Sequence, residues 1–140
     1  CVLVVVPLIS LQDDLIRRLG DKFSCCTSIE EYNSHQLLIL TYEHAVTNTA
    51  LSRLHLLAHN GHLSKVFIDE AHCFILDAAF RTEVRKLAWL ESLGVPIVFL
   101  SATLTENVAQ VTIKSFFGDA KIPIVRAPTV RPNLKYFVIK

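Results

Sequence analysis

Two adjacent carboxylates, Asp69 and Glu70, follow the apolar run Lys65-Val66-Phe67-Ile68, and a polar triplet, Ser101-Ala102-Thr103, follows a second apolar run from Val95 to Leu100. Successive side chains on an extended strand point to opposite sides, so neighbouring acids at a strand tip suit two different tasks. Asp69 is placed to hold Mg²⁺, directly or through water, while Glu70 is left to orient and polarise an attacking water. That division of labour belongs to metal-assisted hydrolysis of a phosphoanhydride. An Asp-Glu pair after one apolar run is common by chance. Polar tips on two core strands of one small chain are much rarer, and the pairing is the main physical argument for a site.

The elements that must position these residues are legible as a rhythm. Apolar runs at Val2 to Val6, Leu37 to Thr41, Lys65 to Asp69 and Val95 to Leu100 are each followed by helical spacing or caps. This predicts an α/β fold with a parallel sheet flanked by helices. Helices are expected over Ser10 to Leu19, with Leu11, Leu15, Ile16 and Leu19 on one face, and over Thr49 to His59, Arg81 to Leu93 and Thr105 to Phe117. Gly20, Gly94 and Gly118 stand where C-terminal caps belong, Ser10 reads as a helix cap, and Thr105 caps the last helix. Two weaker strands are expected at Ile122 to Arg126 and Tyr136 to Ile139. In open parallel sheets ligands bind outside the carboxyl ends of the strands, where both polar tips fall.

With 140 residues the chain holds one domain and a single core. The apolar fraction of 51% fits buried parallel strands, whose sequences are near-continuous Val/Ile/Leu runs. The longest apolar run, Cys1 to Ile9, is about half of what a bilayer crossing needs. There is no Met and the chain opens on strand-like residues, so it reads as a piece of a longer polypeptide. Four cysteines, at 1, 25, 26 and 73, lack paired spacing, and a reducing compartment is the simpler reading. The net charge of +1 hides an asymmetry: beyond Ile113, six Lys/Arg stand against Asp119 alone, making a basic end that suits phosphates or a plain solvated surface. His55 and His59 share a helical face with His62 nearby, but the glutamate of a metalloprotease motif is replaced by Leu56, which argues against zinc.

With these residues in place, the chain resembles the first RecA-like lobe of superfamily 2 helicases and, within them, the RecQ-like DNA helicases, including the fungal, telomere-associated group. Asp69-Glu70-Ala71-His72 matches the DEAH box, Ser101-Ala102-Thr103 the SAT motif, and the stretch from Val5 through Pro7, Leu8, Ser10 and Gln12 to Asp14 resembles motif Ia. Leu40-Thr41-Tyr42-Glu43 stands where the family usually has Thr-Pro-Glu, and Arg131-Pro132-Asn133-Leu134 resembles the segment leading to the second lobe. The resemblance implies a RecA-like P-loop NTPase fold, ATP and Mg²⁺ as cofactors, and 3′ to 5′ translocation on single-stranded DNA with duplex unwinding. It assigns Asp69 to Mg²⁺ and Glu70 to general base catalysis. His72, Ser101, Ala102 and Thr103 would couple nucleotide state to movement of a second RecA-like lobe. Contacts to the DNA strand would come from Pro7, Leu8, Ser10, Gln12, Thr41, Phe80 and Arg81. These would read phosphate and sugar rather than base identity. A setting in DNA repair or recombination is implied, nuclear if eukaryotic and otherwise cytoplasmic.

Departures from the family pattern are as informative. The aromatic-rich loop after the box, Cys73 to Arg81, keeps Phe80-Arg81 but lacks the usual Trp and is one residue shorter. No Gly-x-x-x-x-Gly-Lys-Ser/Thr occurs, so the backbone cradle and lysine that hold β- and γ-phosphates are missing from these 140 residues. The expectation is therefore a partial lobe over 1–140, truncated before Cys1, with 126–140 leading to the second lobe. Its sheet should be open or gapped beside Val95 to Leu100, and it should be inactive alone. Two other readings stay open: a non-catalytic nucleic-acid-binding or regulatory remnant, and a lobe of an RNA helicase, which Arg131 to Leu134 disfavours.

Overall fold

The computed structural model describes residues 1–73, 86–118 and 122–127. Five parallel strands form one sheet in the order β2-β3-β1-β4-β5, where β1 is Val2–Val6, β2 Cys25–Cys26, β3 Leu37–Thr41, β4 Lys65–Ile68 and β5 Ile97–Phe99. The helices are α1 (Ile9–Leu19), the short α2 (Tyr42–Ala45), α3 (Asn48–His59) and α4 (Glu106–Phe117), with a 3₁₀ segment over Leu87–Leu93. This is the predicted α/β class, with helical segments between β1 and β2, β3 and β4, and β4 and β5. Among the described residues no helix is long and apolar enough to cross a membrane.

Register explains the core. Leu3 pairs with Leu38 and Val66, and Val5 with Leu40 and Ile68, so period-two alternation aligns all six on one face. These six are essentially inaccessible and pack with Leu54 of α3, Leu63, and Leu87 and Leu90 of the 3₁₀ segment. On the opposite face Val6 and Ile39 are buried, whereas Val4 and Phe67 remain partly exposed.

β1 and β3 fall where the alternation places them, and the differences elsewhere have local causes. The β5 ladder is shorter than Val95 to Leu100 because Pro96 has no N–H to give; only its carbonyl joins, accepting from Val66 N at 2.9 Å. β4 stops at Ile68, although Asp69 N still donates to Val5 O at 2.9 Å. The expected strand at Ile122 to Arg126 is not one: residues 122–127 carry no regular element, Pro123 interrupts the run, and Val125 is 96% exposed. Arg126 instead donates to Leu104 O at 2.7 Å. Tyr136 to Ile139 lies outside the described residues, as do 81–85 of the helix expected over Arg81 to Leu93, whose later part is 3₁₀ rather than α.

Helix ends follow side-chain chemistry. Thr47 caps α3 by accepting from Ala50 N at 3.2 Å, and Thr105 caps α4 by accepting from Val108 N at 3.4 Å. Ser10 does not cap α1: the helix begins at Ile9, after Leu8 in extended backbone with no side-chain cap. Gly94 closes the 3₁₀ segment with φ 68°, a left-handed turn suited to glycine. Gly20 answers a different need, since its φ is −61° but an added Cβ would lie 2.7 Å from Ile16 O.

Candidate active site and nucleic-acid face

Because every strand runs the same way, the carboxyl ends of β1, β3, β4 and β5 meet at one end of the sheet. They carry Pro7 to Ser10, Thr41 to His44, Asp69 to His72 and Leu100 to Thr103 respectively. The acid-bearing turn is held from three sides. Asp69 N donates to Val5 O and Ala71 N to Leu100 O, both at 2.9 Å, and the Tyr42 hydroxyl donates to Asp69 O. Within the turn, Asp69 Oδ1 accepts from Glu70 N and Glu70 O accepts from Cys73 N, each at 2.9 Å.

Glu70 has φ 50°, in the left-handed region. Such backbone costs a residue with a Cβ about 1 kcal/mol or more, and strain of this kind concentrates at functional turns. Its side chain is 34% exposed, yet Oε2 is shut off from solvent without a hydrogen bond, 3.1 Å from His72 Nδ1. A buried carboxylate oxygen without a donor is costly in a finished core but expected where a water or ligand completes the site.

His72 Nδ1 is the meeting point of both polar tips. It lies 3.1 Å from Ser101 Oγ, 3.2 Å from Thr103 Oγ1 and 3.1 Å from Glu70 Oε2. Ser101 Oγ also accepts from Thr103 N at 3.3 Å, closing the triplet on itself. One side chain on the β4 turn therefore lies against the Glu70 carboxylate and both hydroxyls of the β5 turn. Ala102, between them, is exposed and contributes backbone spacing.

At the neighbouring tips the structure separates residues that the sequence reading grouped. Leu8, Ile9 and Ser10 are exposed at the end of β1, with Leu8 48% and Ile9 62% exposed, while Pro7 is buried. Gln12, expected to contact a DNA strand, is instead 6% exposed and turned inward, its Nε2 donating to Ile39 O at 2.7 Å. β2 is only two residues long and pairs no further along β3 than Leu38, so Gln12 supplies the donor that a longer strand would have given Ile39. Thr41, also expected at the DNA face, is 2% exposed, and its hydroxyl caps α2 by accepting from His44 N at 3.3 Å. The groups that this turn presents outward are Glu43 and His44. Phe80 and Arg81 lie outside the described residues.

Two features were not foreseen from the sequence. Tyr42, fully buried, reaches the backbone of the acid turn, and the available signal was a polar aromatic directly after an apolar strand. Gln12 as an anchor was also legible, since 12, 15, 16 and 19 follow i, i+3, i+4, i+7 spacing and put it on the apolar face of α1. His55, set aside as a zinc ligand on sequence grounds, packs against Trp89 with ring centroids 5.6 Å apart and meets Ser92 Oγ at 3.2 Å.

The residues present fit one half of a Mg·nucleotide site. A single carboxylate at the carboxyl end of the sheet suits Mg²⁺, which keeps waters and phosphate oxygens as its other ligands, and the shielded Glu70 Oε2 is an acceptor awaiting a donor. Comparison with known proteins agrees with this geometry. The DEAD/DEAH box helicase family matches residues 1–111. A Caenorhabditis elegans relative named as ATP-dependent DNA helicase Q1 is 32% identical over 99% of this chain and 25% of its own length. An Arabidopsis thaliana relative, ATP-dependent DNA helicase Q-like SIM, is 31% identical over 98% of this chain and 18% of its own. The chain thus spans a quarter or less of the length of these two relatives. With an acid turn, a Ser-Ala-Thr turn and a parallel sheet arranged in this way, the chain belongs to the DEAD/DEAH box helicase family and is similar, over nearly its whole length, to RecQ-like DNA helicases.

Proposed function

We propose that these residues form the hydrolysis and coupling half of the first RecA-like lobe of an ATP-dependent DNA helicase that moves 3′ to 5′ along single-stranded DNA and separates duplex. The observation that carries this reading is the His72 nitrogen shared by Glu70, Ser101 and Thr103. Asp69 would hold Mg²⁺, which when bound neutralises charge on the transferred phosphoryl group. Glu70, fixed by its turn, orients a water at the shielded side of its carboxylate and takes up its proton. A change in the charge near Glu70 reaches the β5 turn through one imidazole, and a second RecA-like lobe docked on that turn would receive it. Single-stranded DNA would lie across the exposed Leu8 to Ser10 and Glu43 to His44, met chiefly through backbone and sugar contacts. The setting we propose is DNA repair or recombination, in the nucleus if the source is a eukaryote and otherwise in the cytoplasm.

No phosphate cradle of the Gly-Lys-Ser/Thr kind occurs in the 140 residues, so this half should not turn over ATP by itself. The alternative reading is a non-catalytic nucleic-acid-binding or regulatory remnant of such a lobe. The test is DNA-stimulated ATP turnover by the full-length gene product that carries these residues, repeated with Glu70→Gln. Loss of a general base should lower kcat by about 10²-fold or more. Unchanged turnover would remove Glu70 from the mechanism, and DNA binding with no turnover in the unaltered protein would select the remnant.

A further inference from the structure

Tyr42 sits where the DNA-facing end of β3 turns into α2, directly after Thr41, and its ring is fully buried. A buried phenol needs a partner for its hydroxyl, and this one finds it across the sheet rather than locally: it donates to Asp69 O and lies 3.4 Å from Glu70 O. A single hydroxyl hydrogen cannot serve both carbonyls fully, so the Asp69 carbonyl is the principal acceptor and the Glu70 carbonyl a secondary one. These carbonyls belong to the two peptides that flank the Cα of Glu70, whose backbone is left-handed.

The consequence follows from connectivity. β3 and β4 are not neighbours in the sheet; β1 lies between them. The Tyr42 side chain bypasses that strand and joins the β3 turn to the acid turn in one hydrogen bond. Thr41 and Tyr42 are consecutive, and His44 donates its N–H back to Thr41 Oγ1, so displacement of the exposed β3 turn moves the Tyr42 hydroxyl with it.

We infer that Tyr42 is a positioning residue that transmits occupancy of the β3 turn by a nucleic-acid strand to the backbone of Asp69 and Glu70, and so sets the hydrolytic geometry of Glu70. Its hydroxyl neither touches the reacting water nor contacts nucleic acid. The inference rests on the hydrolytic reading of the Asp69-Glu70 pair given above. It makes the stimulation ratio, turnover with single-stranded DNA divided by turnover without it, the property that Tyr42 controls.

The experiment is steady-state ATP turnover by the full-length protein carrying Tyr42→Phe, with and without an oligo-dT strand, alongside DNA affinity and thermal midpoint. The stimulated kcat should fall about five-fold, the size of a lost hydrogen bond. The KM for ATP and the affinity for oligo-dT should keep their values, and the unstimulated rate should fall by less than the stimulated one, so that the ratio drops. A merely structural role would lower both rates together or move only the thermal midpoint, leaving the ratio intact, and either result overturns the inference. Glu70→Gln measured in parallel separates the two levels of argument. If that variant is inactive while Tyr42→Phe keeps the full ratio, only the role of Tyr42 is wrong; if that variant is active, the hydrolytic reading fails.

Discussion

Replacing Gln12 distinguishes an anchor from a DNA contact, and the structure sets the size of the effect. Its amide is 6% exposed and donates to Ile39 O at 2.7 Å, at a point where β2 has already ended and no strand can substitute. Gln12→Ala leaves the Ile39 carbonyl buried without a donor, a cost of about 1 to 3 kcal/mol. It also removes buried side-chain carbon, worth about 0.8 kcal/mol per methylene. The sum, about 2 to 4 kcal/mol, corresponds to a fall in thermal midpoint of roughly 6 to 12 °C at about 3 °C per kcal/mol for a domain of this size. Gln12→Leu keeps the volume and loses only the donor, so it should fall about half as far. The assay is thermal and urea denaturation of the purified protein, with oligonucleotide affinity measured on the same samples. A Gln12→Ala protein that melts within about 1 °C of the parent while losing DNA affinity would refute the anchor and restore the contact.

Further outcomes follow from burial, capping and charge. Leu90→Ala, at a fully buried position of the 3₁₀ segment, should cost about 3 kcal/mol in urea unfolding, whereas Leu56→Ala, at a position 59% exposed, should stay within about 0.5 kcal/mol. Thr105→Ala should lose about 0.5 to 1 kcal/mol, with faster amide exchange at Val108, whose N–H the threonine accepts at 3.4 Å. Burial pushes the Cys25 thiol above its ordinary value of 9.0, and burial with the nearby Cys26 pushes the Tyr32 phenol above 10.0. For an acid raised on folding, the native state holds its proton more tightly, so the stabilisation is complete below the ordinary value and is lost as pH rises through the native one. Denaturation midpoints should therefore decline on going above about pH 9, and Cys25→Ala should soften the first part of that decline.

The fold was legible wherever one local signal decided the outcome. Two five-residue apolar runs gave β1 and β3 their limits, because a strand buried on both faces is written as an unbroken β-branched and leucine-rich stretch. Thr105 announced its helix for the same reason: a cap is a property of a few consecutive residues. Prediction failed where the answer lay across the sheet. β2 is two residues whose pairing depends on β3, and Ile122 to Arg126 had strand composition but a proline inside it and no partner in register to reward it. The acid pair and the Ser-Ala-Thr triplet could be listed from sequence, yet their convergence on one imidazole nitrogen could not. Thr41 and Gln12 mark the opposite limit, since their motif positions suggested outward contacts and the packing assigned both to hold the scaffold.

The crowding around His72 has a consequence of its own. An imidazole nitrogen carries one hydrogen or none, so three oxygens arrayed about it compete instead of sharing. With the hydrogen present either hydroxyl of the β5 turn can accept it, and without it either hydroxyl can donate in its place. The alternatives differ by roughly one hydrogen bond, about 1 kcal/mol, small beside what keeps a domain folded. A junction balanced in this way can exchange one partner for another without any strand leaving its place.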